Sequence, residues 1–436
     1  MKDGLYPPSV QPGVPRLSSL PTGWQSVTFA DVFEEAVRPV ELAPNTTYQL
    51  VNAKRSRGGV VARETKRGAD IKTTTQFRTC AGDFLISRRQ IVHGACGIVP
   101  ARLDGAIVSN EYSTLTVRAG FDPTFLAYFS NTVYFQQTCF HSSIGVHVEK
   151  MVFRLDSWLR WPVQMPPLSE QRRVVEVLTA WDTALKHVQG LIEAQQKLKR
   201  GLNQSVLTAA RRFPNFHGDL TDHQLFGHRV PGGWRKMRVS DIAEVNVAAL
   251  PESTDPQYEF WYLDVSAIKA GCIEMPEVKT RFLDAPSRAR RMVKHGDVLF
   301  STVRPYLEGF ARVDFNRSDV VCSTGYAVLT PKDEGVGRLL YHTLYAPYFK
   351  RQYMEGLAGS NFPAVSASEL AELVIFVPED PKELRAVVDM LDALEAEIQR
   401  LEKLNNLLED QKRGLMQKLL TGKKRLRVDI QEVADV

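Results

Sequence analysis

A chain that spells the same short motifs twice, in the same order, folds as two copies of one unit, and this 436-residue sequence does so. LPTGWQSVTFADV (Leu20 to Val32) returns as VPGGWRKMRVSDI (Val230 to Ile242), with Pro21, Gly23, Trp24 and Asp31 matching Pro231, Gly233, Trp234 and Asp241 at an offset of 210. GDFLIS (Gly82 to Ser87) returns as GDVLFS (Gly296 to Ser301), and Tyr112 and Leu115 as Tyr326 and Leu329, both at 214. KRGL (Lys199 to Leu202) returns at Lys412 to Leu415, and Val174, Val175 and Leu178 return as Val387, Val388 and Leu391, at 213. A period this long is a duplicated domain with its linker, not a solenoid repeat, and it gives the chain a pseudo-twofold internal repeat.

Each copy has two parts. The first mixes short alternating apolar runs, such as GDFLISRRQIV, AIVSNEYSTLTVRA and YAVLTP, with short helical stretches, which reads as an α+β domain. The second is a long helix with a narrow apolar stripe. In the first copy Val174, Leu178, Trp181, Leu185, Val188, Ile192, Gln195, Leu198, Leu202 and Val206 are spaced by threes and fours. In the second, Val387, Leu391, Leu394, Ile398, Leu401, Asn405, Leu408, Gln411, Leu415 and Leu419 repeat the stripe. Such a/d seams predict two helices pairing as an antiparallel coiled coil of roughly 50 Å, with polar Gln195, Asn405 and Gln411 interrupting it.

MPPLSEQRR (Met165 to Arg173) and VPEDPKELR (Val377 to Arg385) start these helices, with Ser169 and Asp380 as the expected N-caps. The first is expected to end near Thr208 and the second at Gly422. The expected division is 1–166 globular, 167–212 helix, 213–378 linker and globular, 379–422 helix and 423–436 tail.

Charge supplies the functional hint. The net charge of +5 is mild, yet Asn52 to Arg78 gathers Lys54, Arg55, Arg57, Arg63, Lys66, Arg67, Lys72 and Arg78 against only Glu64 and Asp70. Arg88 and Arg89 follow the GDFLIS strand. The second copy has Arg281, Arg288, Arg290, Arg291 and Lys294 before GDVLFS, and Arg304 after it. Taken as loops, these stretches offer phosphate contacts and some base-reading side chains. The basic sequences diverge between copies while the framework motifs match, as two domains reading different DNA sequences would require. Trp24 and Trp234, beside alternating apolar residues, read as core or staple residues.

Familiar chemistry is missing from the motifs. The sequence has no GxxxxGK[ST], because Gln417 stands where LLTGKK would need a glycine, and no GxGxxG or GxSxG. Asp122-Pro123-Thr124-Phe125 only loosely echoes the proline-pair tetrapeptide that binds a flipped adenine. His93, His141, His147, His223, His228 and His295 form no ligand-spaced pair, so no catalytic or metal site is expected. Five dispersed cysteines without a CxxC read as buried reduced thiols. No run is long and apolar enough for a membrane span and the N-terminus has no apolar signal core, so a cytoplasmic protein is expected.

The GW motif, the GD-φ-L-φ-S strand, the PPLSEQRR helix start and the KRGLMQKLLTGK ending together resemble the specificity subunit of type I restriction–modification enzymes, from about Leu20 to Arg427. The departure is VPEDPKELR, which lacks the PPLxEQ form. The resemblance implies two target-recognition domains, each binding half of a bipartite, asymmetric target in double-stranded DNA, with no catalytic centre in this chain. It implies helices that set the spacer and dock two methyltransferase subunits. S-adenosylmethionine would come with those subunits, and ATP and Mg with restriction/translocase subunits. A free-standing DNA-binding regulator and a coiled-coil scaffold remain open alternatives on the residues alone.

Overall fold

A computed structural model describes residues 6–208, 210–216, 220–225, 228–269, 271–355 and 364–426. The expected tail from residue 427 onward, and the side chains of His223 and His228, lie outside the described residues. Two compact units emerge, one of residues 1–187 and 405–436, the other of 188–404. The long helices Leu168–Val206 and Pro381–Leu419, 39 residues each, are shared by both units.

In the first unit a four-stranded antiparallel sheet has the order Phe33–Glu35, Tyr112–Val117, Phe84–Ser87, Cys96–Ile98. A five-stranded sheet follows the order Pro39–Val40, Gln76–Arg78, Ile107–Ser109, Thr47–Ala53, Val60–Arg67. The second unit repeats the first sheet as Ala243–Val245, Tyr326–Pro331, Val298–Ser301, Phe310–Arg312. Its other sheet runs Thr280–Arg281, Glu259–Leu263, Val320–Ser323, Ala289–Met292. Each GW motif opens a strand paired to the strand that leads into a long helix: Gln25–Thr28 with Pro162–Met165, and Trp234–Arg238 with Val374–Pro378.

The repeated motifs are turns and anchors with a physical job. Gly82 and Gly296 have φ of 87° and 86°, which favours glycine, and the next residue's carboxylate closes the turn. Asp83 accepts from the Cys80 N–H at 2.7 Å, and Asp297 from the Lys294 N–H at 2.8 Å. Behind these turns the strands face buried aromatics, with Phe29 stacked on Trp158 at 4.1 Å and Phe300 on Phe310 at 4.6 Å.

Within each unit the two helices run antiparallel, held by the same two ion pairs. In the first unit Glu170 pairs with Arg425 and Asp182 with Lys412. In the second, Glu383 pairs with Arg212 and Glu395 with Lys199. Arg425 meets Glu170 bidentately, at 3.1 and 2.6 Å, and donates to the Thr22 carbonyl. Arg212 meets Glu383 at 2.8 and 2.6 Å and donates to the Gly232 carbonyl at 2.9 Å. Both carboxylates are buried, at 3% and 1% side-chain exposure. Trp24 Nε1 also donates to Glu170 at 3.3 Å, so the GW motif is tied to the helix start.

The seam holds in part. Val174, Leu178, Ile192, Val387, Leu391, Ile398, Leu401 and Leu419 are buried, and Trp181, Leu185, Val188, Leu394 and Leu415 are half-buried. Leu198 and Gln411 are exposed, and their neighbours Lys199 and Lys412 turn inward to the ion pairs instead. Over so many turns a 3.6-residue helix drifts off a strict 3.5 spacing, which moves such positions away from the seam.

Of the expected caps and ends of the long helices, Ser169 is the one that changes. Ser169 lies inside the helix that begins at Leu168, and so does not cap it. Asp380 does cap its helix, accepting from the Lys382 N–H at 2.8 Å. The first helix ends at Val206 and the second at Leu419, with Gly422 left-handed at φ 69° just beyond. Asp122-Pro123-Thr124-Phe125 is a helix start, where Asp122 caps Thr124 and Phe125.

All five cysteines are free. Cys96, Cys139 and Cys322 are buried, but Cys80 and Cys272 are only half-buried. Among the described residues no helix is long and apolar enough to cross a membrane.

Removing one partner of a buried pair strands a charge. Glu383→Ala is expected to destabilise the protein by about 3–5 kcal/mol in urea unfolding, and Arg212→Met with Glu383→Leu by clearly less. Arg413→Ala, which removes an exposed pair with Asp410, should change stability by less than about 1 kcal/mol.

Candidate nucleic-acid interface

The basic stretch of the first unit is a β-hairpin, not the loop its Gly and Thr content suggested. Thr47–Ala53 pairs with Val60–Arg67 in a register that sets Ala53 opposite Val60 and Thr47 opposite Arg67. The charged residues sit on an antiparallel ribbon because Val51 and Val60 anchor its inner face in an apolar cluster with Leu85 and Val108. Its tip, Lys54 to Gly59, places Ser56, Arg57 and Gly59 at positive φ and leaves Lys54 and Arg55 exposed. The Ser56 N–H donates to the His93 carbonyl at 2.7 Å, so the tip lies against the segment that follows Arg88 and Arg89.

Much of this charge is already engaged. Arg55 pairs with Glu149 at 2.6 Å, Arg89 with Glu111 at 2.5 Å, and Arg63 and Lys66 share Glu64 at 3.2 and 3.1 Å. Arg67 donates to Asn45 at 2.8 Å. Arg57 and Arg88 are half-buried, each with a buried Nε that has no hydrogen-bond partner. Burial pulls the Arg57 guanidinium below the usual arginine range. The buried His93 ring is also pulled down, first by burial and then by the Arg55 charge, although Glu149 opposes this at 3.2 Å.

In the second unit Arg281 pairs with Asp284 at 2.7 Å, Arg288 donates to the Tyr262 hydroxyl at 3.3 Å, and Arg290 stacks over Phe282 at 4.8 Å. Arg291 is half-buried, donates to the Tyr326 carbonyl, and is pulled down by burial. Arg304 is exposed at φ 51° in a left-handed turn. Among the described residues, Lys54, Arg67, Arg288, Arg290 and Arg304 have no carboxylate within ion-pair distance.

Other residues at these surfaces gave no signal in the sequence. Val146 is 95% exposed in the loop that carries Glu149, and Leu307 is 68% exposed beside Arg304. Apolar side chains in loops carry no periodicity, so only their surroundings mark them. Gln76, buried at 3%, lines a cavity of about 240 Å³ with Arg63, Lys66, Lys72 and Tyr112. Its Nε2 donates to the Thr73 carbonyl at 2.8 Å, and its Oε1 has no partner.

Burial pushes the Cys96 and Cys322 thiols up to about 12, which leaves them poor nucleophiles. Among the described residues no group of three or more His, Cys, Asp or Glu could hold a metal ion.

Comparison with known proteins places this geometry. The family model described as type I restriction modification DNA specificity domain matches residues 231–410. The type I restriction enzyme MjaVIII specificity subunit of Methanocaldococcus jannaschii is 21% identical over 295 residues, covering 64% of this chain and 65% of that protein. The type I restriction enzyme HindI specificity subunit of Haemophilus influenzae is 24% identical over 211 residues, covering 45% of this chain and 44% of that one. The chain thus spans less than two thirds of the length of these curated relatives.

Among solved structures, the S subunit of a type I restriction-modification system from M. genitalium aligns at TM-score 0.56 and 15% identity, covering 93% of this chain and 99% of that one. A chain from a study of complex assembly and conformational transition of the type I R-M system aligns at TM-score 0.54 and 20% identity, covering 92% and 98%. Residues 231–410 thus match the type I restriction modification DNA specificity domain, the chain is similar in sequence to two type I specificity subunits, and it shares the fold of these two solved chains.

Proposed function

We propose that this chain is the DNA-recognition subunit of a type I restriction–modification complex. Each sheet-rich domain reads one half of a bipartite, asymmetric target. The long helices set the spacer and dock two methyltransferase subunits, which bring S-adenosylmethionine. Restriction/translocase subunits using ATP and Mg complete the assembly, and the chain itself carries out no chemistry.

The observation that carries this reading is a duplicated frame with unlike decoration. The Gly–Asp turns, the order of the four-stranded sheet that carries them and the helix ion pairs repeat position for position, while the cation-bearing edges differ. Lys54 and Arg304, exposed and without carboxylate partners, suit phosphate contacts, which supply affinity and salt dependence. Arg288 and Arg290 suit base edges, at about 1–3 kcal/mol of discrimination for a good bidentate contact. Val146 and Leu307 offer apolar contact of the kind that thymine methyls accept. Arg57 and Arg291, desolvated and packed, support the tip and strand that present the others.

Co-expression with candidate methyltransferase subunits, followed by genome-wide mapping of methylated adenine, should reveal one bipartite motif that disappears when this chain is deleted. Unchanged methylation, with no methyltransferase retained by the purified chain, would instead indicate a free-standing DNA binder.

The division of labour among the arginines is testable separately. Lys54→Ala and Arg304→Ala should each lower the slope of log K against log salt by about 1 and leave the melting temperature unchanged. Arg57→Ala and Arg291→Ala should lower the melting temperature by several degrees, with binding weakened only as the fold loosens.

A further inference from the structure

In the first unit the buried carboxylate of the GD turn holds a guanidinium. Arg38 Nη1 donates to one oxygen of Asp83 at 2.6 Å and Nη2 to the other at 3.2 Å, while Nη2 also reaches the Thr116 hydroxyl at 3.3 Å. Asp83 is 3% exposed, and this arginine is the cation that neutralises it.

The second unit repeats every part of this arrangement except the arginine. Arg78 N–H donates to the Arg38 carbonyl at 2.8 Å, and its counterpart Met292 N–H donates to the Ala248 carbonyl at 3.0 Å. Ala36 N–H donates to Thr114 and, likewise, Asn246 N–H to Val328. Position 248 is thus the equivalent of 38, and alanine stands there. Asp297 is as buried as Asp83, at 2%, and accepts from the Thr330 hydroxyl and the Lys294 N–H, both at 2.8 Å. Thr330 corresponds to Thr116, the hydroxyl that Arg38 reaches in the first unit. A carboxylate has about four acceptor positions, so Asp297 keeps capacity that Asp83 spends on arginine.

A cavity of about 530 Å³ opens onto both Asp297 and Thr330. Its wall also carries Asp314, Asp333, Glu334 and Asp392, so its acidic side chains outnumber its lysines and arginines. Most of those cations are already engaged, two of them with Asp392 of the same wall. Arg312 and Arg338 reach Asp392 at 3.0 and 2.7 Å, and Lys332 donates to the Ser240 and Asp241 carbonyls at 3.1 and 3.0 Å. Lys294, exposed, is the remaining one. Burial lifts the Asp297 carboxyl above its ordinary range, the expected condition of a carboxylate whose cation has been withdrawn.

We propose that this cavity receives a guanidinium group presented by another polypeptide, an arginine side chain taking the place that Arg38 fills in the first unit. The planar fork of a guanidinium can span a carboxylate and a hydroxyl together, as Arg38 does, which a lysine ammonium does not match. The site itself stands on the duplication alone, while the identity of the donor as a methyltransferase subunit rests on the proposed function.

The test is titration of the full-length chain with N-methylguanidinium and, in parallel, methylammonium, followed through the amide resonance of Lys294. Saturable binding of N-methylguanidinium is expected, at least five-fold tighter than methylammonium and lost in both Ala248→Arg and Asp297→Asn. No saturable binding to the wild-type chain, or full retention in both variants, overturns the site. Should Ala248→Arg fail to fold, Asp297→Asn and Thr330→Val carry the same comparison.

A second arm separates the sources of the guanidinium. With co-expressed methyltransferase subunits, Ala248→Arg should weaken their association at least ten-fold, because its own arginine fills the cavity. Undiminished association alongside genuine N-methylguanidinium binding overturns the partner arginine and identifies a small free cation as occupant. If the wild-type chain retains no methyltransferase, the proposed function fails, and the titration still decides the site.

Discussion

The structure depends on a buried glutamate paired with an arginine, made twice. Glu170 and Glu383 each occupy the first turn of a 39-residue helix, almost wholly removed from water, where an unpaired carboxylate would be prohibitive. Each is satisfied by an arginine that lies just beyond the end of the other helix: Arg425 for the first, Arg212 for the second. The same arginine donates to the carbonyl of the turn before the GW tryptophan. One guanidinium therefore ties together the start of one helix, the end of the other and the first strand of the domain. The bidentate geometry accepts only one helix direction and one register, so it enforces the antiparallel pairing that apolar seams alone would leave open.

This explains why the short repeated motifs were informative and why parts of the reading failed. Gly–Trp, Gly–Asp and Lys–Arg–Gly–Leu recur because they build turns and interhelical ion pairs whose geometry tolerates little change, and such constraints show in single residues. Even the departure at the second helix start is legible: Glu383 retains the lock, while Leu384 stands where Gln171 bridges the Pro166 carbonyl at 2.9 Å and the Asp122 N–H at 2.8 Å. The arginines of the lock were not picked out. Arg212 and Arg425 lie beyond the helix ends, at the last residue of the expected first helix segment and in the expected tail, and nothing local distinguishes an arginine that pairs with a buried carboxylate from a solvated one.

The basic stretches were harder for a related reason. Composition counts charges but cannot see which are cancelled across the chain, as when Glu149, some ninety residues away in sequence, takes Arg55. Nor can it see which are desolvated, as Arg57 and Arg291 are. Reading Asn52 to Arg78 as a loop followed from its glycines and threonines. The alternation that makes it a ribbon is carried by a few residues such as Val51 and Val60, too few to outweigh the charge around them.

Duplication also sets a physical rule for what can diverge. Where a residue closes a turn or balances a buried charge within its own copy, changing it costs stability at once, and the two copies keep it. Arg38 is the informative exception. The alanine at 248 leaves Asp297 buried with its backbone and hydroxyl partners and no cation bonded to it; burial disfavours the charged form, and the nearby exposed Lys294 opposes this only in part. A chain under no other demand would relieve the strain by replacing the acid as well. That Asp297 is kept beside an open cavity, while its intramolecular partner is gone, argues that the compensating charge arrives from outside the chain.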